Sequence, residues 1–336
     1  FWNSWQDIAN NPGDPGSARL MLAQAQTVAG TVNGFATQLT QQWTATRQDA
    51  DNVVANVNAL TADVARLNSA IRSATLNGGA PNELADQRDV LVLRIVEATG
   101  AVARTMDNGV VDLTLAGRSL VSGLSSEKLQ VEGPTSYPTA TDTISVTWAT
   151  TGQPASINGG TLQGQLTALN TSIPGVMSDL DAVAANLAAI VNAQQAAGFD
   201  RAGSAGAPIF SGTTAASLTV TLSDPAGVAT SSEAPPVLNG SNALAMGAHA
   251  SDATGPDAQY RDMMISLGVQ AQTIQRSTDT QKAVSSRVDA ARESVSGVSL
   301  DEEMANLVAF QHAYSAAAKY ISAIDSTLDT LINIVK

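Results

Sequence analysis

The run from Ser299 to Lys336 places apolar residues at Leu300, Met304, Leu307, Tyr314, Ile321, Ile324, Leu328, Leu331 and Val335, with Gln311 and Ala317 or Ala318 keeping the interval between them. Steps of three and four make a period of about 3.5 residues, which lays one apolar seam along a helix. Ser299 with Glu302 three residues on reads as a capping box, and Asp301, Glu302 and Glu303 put negative charge where the helix dipole favours it. One helix of roughly 55 Å is predicted. Its seam needs partner helices, from this chain or from neighbouring copies.

The same rhythm governs the first part of the chain. A short stretch from Phe1 to Ala9 is stopped by the turn cluster Asn10 to Gly16, in which Asp14 is set to cap a helix with Pro15 at its first position. A long helix is predicted from there to about Leu76. Its seam reads Met21, Ala25, Val28, Val32, Phe35 and Leu39, then, after a polar stretch from Gln42 to Asp51, Val53, Val57, Leu60, Val64, Leu67, Ile71 and Ala74. The two halves are out of phase, which predicts a stutter near Thr46 and Ala50. A helix of roughly 60 residues spans about 90 Å, so a rod is expected. Asn77 to Pro81 ends it, Asn82 is positioned to cap a second helix through Ala98, and Arg88 beside Asp86 and Asp89 reads as a solvated face.

The period then changes to two. Ala101 to Met106 and Val110 to Leu115 flank Asp107-Asn108-Gly109, a hairpin turn because Asn-Gly supplies positive φ. Short strands are predicted at Ser119–Val121, Lys128–Val131 and Thr143–Trp148, and the helical period returns from Thr161 with Leu162, Leu166, Leu169, Ile173, Val176, Leu180, Val183, Leu187 and Ile190. Pro174 sits inside that pattern, so a kink or break is expected there. The loop Gly198 to Gly206 lacks both a P-loop ending and spaced calcium-binding acids, and reads as a structural turn. Ser217 to Leu222 reads as a strand and Ser223 to Gly255 as a connection with little regular structure. Another long helix follows, marked by Tyr260, Met264, Leu267, Ala271, Ile274, Val284, Val288, Ala291 and Val295 and closed at Gly297; Met263 and Met264 read as core filler.

The expected fold is therefore mainly α with minor β, an elongated bundle of long antiparallel coiled-coil-like helices with a small β subdomain. Its divisions are a first bundle part at 1–100, the β subdomain at 101–158, a Pro-kinked bundle helix at 159–200 and a short strand with a Gly, Pro and Ser-rich connection at 201–255. A bundle helix at 256–298 and an assembly helix at 299–336 complete it.

Composition narrows the chemistry. The chain has 336 residues, 17 Lys and Arg against 30 Asp and Glu, and a formal charge of -13. An acidic surface without basic clusters argues against nucleic acid or anionic membrane as partner. Without cysteine, disulfide and thiolate sites are excluded. No apolar stretch is read as long enough to span a membrane, and no basic-then-apolar signal opens the chain. Aromatics are 4% of residues, which suits thin helical packing better than a large globular core. The two histidines, His249 and His312, lack neighbours at metal-ligand spacing, and no Gly-x-Ser-x-Gly elbow announces a nucleophile. No enzyme, cofactor or metal site is expected.

The segment Ser299 to Leu307, with Phe310-Gln311, Ala313-Tyr314, Ala316 to Lys319 and Asp329 to Ile334, resembles the C-terminal signature of bacterial flagellar axial proteins. Ile8-Ala9, Asn11-Pro12, Asp14 and Arg19 at the start, Asn82-Glu83-Leu84 with Asp86 to Asp89, Ser119 to Gly123, and Asn192 with Gly198-Phe199-Asp200, Gly203 and Gly206 resemble the hook-filament junction family, flagellar hook-associated protein 1. The resemblance implies an extracellular structural subunit, exported unfolded through the flagellar type III channel and stacked as a ring. Its implied partners are other copies, the hook protein, a second junction protein and an export chaperone on the C-terminal helix. Leu300, Met304, Leu307, Tyr314, Ile321, Ile324, Leu328 and Leu331 are the residues expected to form the assembly interface. A rod or hook subunit, or an unrelated secreted coiled-coil protein such as a translocator or adhesin stalk, is the alternative.

Larger family members carry an outer domain after the glycine-rich turn, where this chain passes almost directly from Phe210 to Ser217. The family's N-terminal segment, partner of the last helix, is expected to be missing from the sequence, leaving Ser299 to Lys336 frayed or paired with another copy.

Overall fold

The structure, a computed structural model, describes the chain except for residues 107, 138–141, 235–238, 297–299 and 335–336; side chains are not described at 295–302 and 328–334. The chain is mainly helical with small sheets, and it divides into two units, Phe1–Leu267 and Gly268–Lys336.

The first unit is threaded by α2. After α1 (Trp2–Asn10), the Asp14 carboxylate accepts the N–H groups of Gly16 and Ser17 and the Ser17 hydroxyl, which fixes the start of α2 (Pro15–Leu76). At 62 residues α2 is about 93 Å long. Met21, Val57, Leu60, Val64 and Ile71 of the expected seam are buried, and so is the series Ala18, Leu22, Ala25, Ala29, Ala36, Trp43, Arg47, Ala50, Val54, Thr61, Ala65 and Asn68. That series advances by about 3.6 residues per turn, the period of a straight α-helix. It does so by running in sevens through Leu22, Ala29, Ala36 and Trp43, taking one four-residue step to Arg47, and running in sevens again through Val54, Thr61 and Asn68, which is the expected stutter. The polar stretch that holds this step contains Trp43, Arg47 and Ala50, all buried.

Next come α3 (Asn82–Thr99) and the strands β1 (Val102–Thr105), β2 (Val111–Leu115), β3 (Arg118–Ser122) and β4 (Ser125–Ser126), an antiparallel sheet in that order. Asn82 is the first helical residue rather than the cap, since Pro81 holds the cap position without a side-chain bond. The alternation Val111, Leu113 and Leu115 turns one face of β2 inward. A separate pair, β5 (Leu129–Glu132) and β6 (Ser145–Trp148), follows. The chain then turns into α4 (Gly160–Thr167), a π-helical turn at Ala168–Ser172, and α5 (Ile173–Ala197), with Pro174 in the first turn of α5. Gly160 has φ 74° and its Cα lies so near Ala98 that a Cβ there would sit 2.6 Å from a carbonyl carbon, so α3 and α4 meet only through glycine.

After α5, β7 (Phe210–Ser211) pairs with β8 (Thr219–Val220). The connection expected to lack regular structure contains α6 (Ser241–Ala248), which packs on α1 and α5. Finally come α7 (Pro256–Ser296) and α8 (Leu300–Ile334). Ser299 and Gly297, the expected cap and closing glycine, lie outside the described residues.

Two hydrophobic cores fill the first unit. One gathers Trp43, Val57, Val64, Ile95, Leu113, Leu120, Trp148, Leu162, Leu169 and Ile173; the other gathers Trp5, Met21, Ala36, Met177, Leu180, Leu187, Phe210, Leu218 and Met246. Helix amides lock strands to both. Asn58 exchanges two hydrogen bonds with Leu129, at 2.8 Å each, Asn170 does the same with Ile144, and Asn68 and Asn192 grip Val111 and Phe210. A primary amide offers a donor and an acceptor side by side, the complement of an unpaired peptide.

The reading that no stretch is apolar enough to span a membrane is corrected. Gly160–Ala197 reaches a mean hydropathy of 1.3 over 18 residues and meets that criterion by length and composition. Its apolar face is used otherwise, because Leu162, Leu169, Ile173, Met177, Leu180, Leu187 and Val191 are buried in the two cores.

Candidate assembly surface

In the second unit, every side chain described, from Gly268 to Ser294 and from Glu303 to Thr327, is exposed. On α8 the exposed apolar residues include Met304 (65%), Leu307 (56%), Tyr314 (80%), Ile321 (61%) and Ile324 (43%). These five of the expected interface residues thus share one uncovered helical seam. Leu300, Leu328 and Leu331 lie on the same helix, with side chains outside the described residues.

The seam is wider than the 3.5-residue pattern suggested. Phe310 (76% exposed) stands three residues from Leu307 and four from Tyr314, and Tyr320 (69%) stands four before Ile324. Both spacings put a side chain on the side of its neighbour. The stretch of α7 within this unit is likewise uncovered, with Val269, Ile274, Val284 and Val288 exposed. Apolar stripes of this length in water mark contact surfaces.

The first unit holds a different kind of apolar surface. A groove of about 790 Å³ lies between α2, α5 and the first turns of α7, lined by Val28, Val32, Phe35, Leu180, Tyr260 and Met264 among others. It accounts for Phe35, on the expected seam of α2, and Met264, read as core filler, which are 41% and 46% exposed.

Polar groups singled out in the sequence serve the scaffold. Arg88 is buried rather than solvated: it donates to the Gly109 carbonyl at 2.5 Å and to Asp89 at 2.9 and 3.1 Å, and so ties α3 to the hairpin turn. His249 pairs with Asp252 at 2.6 Å and with Gln194 at 3.3 Å, which joins the turn after α6 to α5. Asp200 accepts the N–H groups of Ala202 and Ser204, closing the glycine-rich turn on itself. The N–H of Gly16, the Ser17 hydroxyl and the Ser17 N–H hold the Asp14 carboxyl below the usual carboxylate range. Among the described residues, no group of three or more His, Cys, Asp or Glu side chains could hold a metal ion.

Residues 1–210 match the family described as the flagellar hook-associated protein FlgK helical domain, and residues 291–334 match the flagellar basal body rod FlgEFG protein C-terminal family. The chain is 27% identical over 379 residues to flagellar hook-associated protein 1 of Bacillus subtilis (strain 168), across 99% of this chain and 74% of that protein. It is 30% identical over 222 residues to flagellar hook-associated protein 1 of Salmonella typhimurium, across 63% of this chain and 39% of that protein. The solved structure of the flagellar hook junction protein FlgK from Burkholderia pseudomallei superposes with a TM-score of 0.55 at 28% identity, over 62% of this chain and 39% of that one.

Proposed function

Because the chain belongs to the FlgK family of flagellar hook-associated proteins, we propose that the uncovered seam of α8 is the surface through which its subunits stack. The protein is a structural subunit of the bacterial flagellum at the hook-filament junction. In the proposed mechanism, subunits leave the cell unfolded by the flagellar type III route, with an export chaperone shielding α8 beforehand. They then form a ring that meets the hook protein on one side and a second junction protein on the other. Leu300, Met304, Leu307, Tyr314, Ile321, Ile324, Leu328 and Leu331 make the contact, with Phe310 and Tyr320 added at its edge.

The observation that carries this reading is the position of the seam: five exposed apolar residues at helical spacing fall inside the segment that matches the axial C-terminal family. Burial of such a seam stabilises an assembly by about 25 cal/mol for each Å² of apolar surface removed from water. A rod or hook subunit would share this last helix, and the match over residues 1–210 is what favours the junction.

The test is complementation by the intact gene in cells lacking hook-associated protein 1. The expected outcome is regrown filaments and labelling of the hook tip, lost again when Leu307→Asp and Ile321→Asp are introduced. Bare hooks with filament protein in the medium from the unmutated gene would overturn the junction assignment. Filaments that regrow fully with both aspartates would remove the seam from the contact.

A further inference from the structure

We propose that the first unit contains a built-in flexible joint, located where α2 and the first turn of α5, next to the π turn at Ala168–Ser172, run side by side between its two cores. Among the described residues, two helical stretches run from one core into the other. On α2 the crossing lies between Ala36, in one core, and Trp43, in the other; on the return path it lies between Ile173 and Met177. The buried members of the sheet-side core all fall between Trp43 and Ile173, and those of the other core fall before and after that range. Two helical segments in contact, with Leu39 and Tyr137 packed against both cores, therefore connect the halves.

The return crossing is locally weakened. In the π turn the Ile173 N–H bonds to the Ala168 carbonyl, the i to i+5 pattern. The next bond in that pattern would run to the Leu169 carbonyl from residue 174, which is proline and has no N–H. A buried carbonyl left without a donor is costly. The missing donor comes from the other crossing: the Trp43 indole N–H reaches the Leu169 oxygen at 2.9 Å. One side-chain bond thus joins α2 to the π turn on the sheet-side edge of the boundary. Tyr137 stacks edge-on against Trp43, ring centroids 5.9 Å apart, and touches both cores, so it straps the same point from outside. Beside the crossing, α2, α5 and α7 leave a trough of about 410 Å³, lined by Leu39, Gln42, Val176, Leu180, Tyr260 and Met263 among others, so the crossing is not packed solid all round. Interruptions of this kind, a π turn followed by proline, are where helices bend.

The experiment uses the full chain, whose lack of cysteine allows spin labels at Ser69→Cys and Ala216→Cys, one exposed site on each side of the boundary. Pulsed EPR distances and amide exchange are compared in the parent, in Trp43→Phe and in Pro174→Ala, with circular dichroism to establish folding. Trp43→Phe keeps the ring and removes the donor; it is expected to broaden the distance distribution and to speed exchange of the Ile173 amide about ten-fold. Pro174→Ala adds a backbone donor beside the indole for the Leu169 carbonyl and is expected to narrow the distribution and slow the same amide. A folded Trp43→Phe variant with unchanged distances and unchanged exchange overturns the joint. If Trp43→Phe does not fold, Pro174→Ala decides, and an unchanged distribution there overturns it equally.

Discussion

The two units of this chain handle the same residue types in opposite ways. In Phe1–Leu267, Leu162, Leu169, Leu187 and Leu218 are at most 5% exposed, and amides from Asn58, Asn68, Asn170 and Asn192 meet strand peptides that would otherwise lack partners. In Gly268–Lys336, Leu307, Ile321 and Ile324 occupy equally regular helical positions with no cover. The difference shows that helical periodicity marks where apolar surface will gather, while cover requires a second surface within reach. The first unit supplies that surface from its own strands and helices. The second leaves it uncovered, and that is the surface proposed for stacking.

This contrast can be broken most decisively by truncation. Leu162→Ala or Leu218→Ala is expected to cost the isolated chain about 2 to 5 kcal/mol, because each leaves a cavity in a closed core. Leu307→Ala, at a site 56% exposed, is expected to stay within about 0.5 kcal/mol. Urea titration of the three variants measures both values. A cost at Leu307 equal to that at Leu162 would mean that the seam is covered within the monomer.

Within the first unit, Arg88→Met is expected to destabilise by about 1 to 3 kcal/mol, since the Gly109 carbonyl and Asp89 lose a buried charged donor. Thermal melts test it, and a neutral result would return Arg88 to the solvated role that its sequence neighbourhood suggested. Limited proteolysis sharpens the comparison at smaller energies. In dilute monomer the segment from Ser299 to Lys336 is expected to be cut well before α2, because an uncovered helix opens locally with little penalty. Resistance there would show that the last helix finds a partner inside one chain.

The smallest effect expected is at Asp14. Its carboxyl is held below its ordinary value by the N–H of Gly16 and by Ser17, so the folded state favours the charged form. Stability from that cap is present above the unfolded pKa of about 3.9 and is lost as pH falls through the lowered folded value. Asp14→Asn should flatten the acid limb of a pH-stability curve and leave the neutral plateau nearly unchanged.

Legibility followed range. The start of α2 could be read because Asp14 and Pro15 act within one turn, the β1–β2 hairpin because Asn108 and Gly109 set a local conformation, and the α8 seam because its rhythm lies entirely within one helix. Arg88 could not be read, since its neighbours Asp86 and Asp89 suggest solvent and its deciding partner, Gly109, belongs to the next hairpin. The eight residues of α6 carry weak local signals, and their helix rests on packing against α1 and α5. Of the proposed surface, five seam residues were legible as a stripe, while Phe310 and Tyr320 follow from neighbours three and four positions away.

By itself, then, the sequence determined the helices, their apolar faces and the turns that separate them, because each depends on residues a few positions apart. Tertiary structure alone decided which faces close. It put Trp43 opposite an orphaned Leu169 carbonyl 126 positions away, and it turned a polar-looking stretch of α2 into core. No local pattern encodes such a match, since a buried hydrogen bond is set by where two distant backbones meet and by the need of each polar group there for a partner.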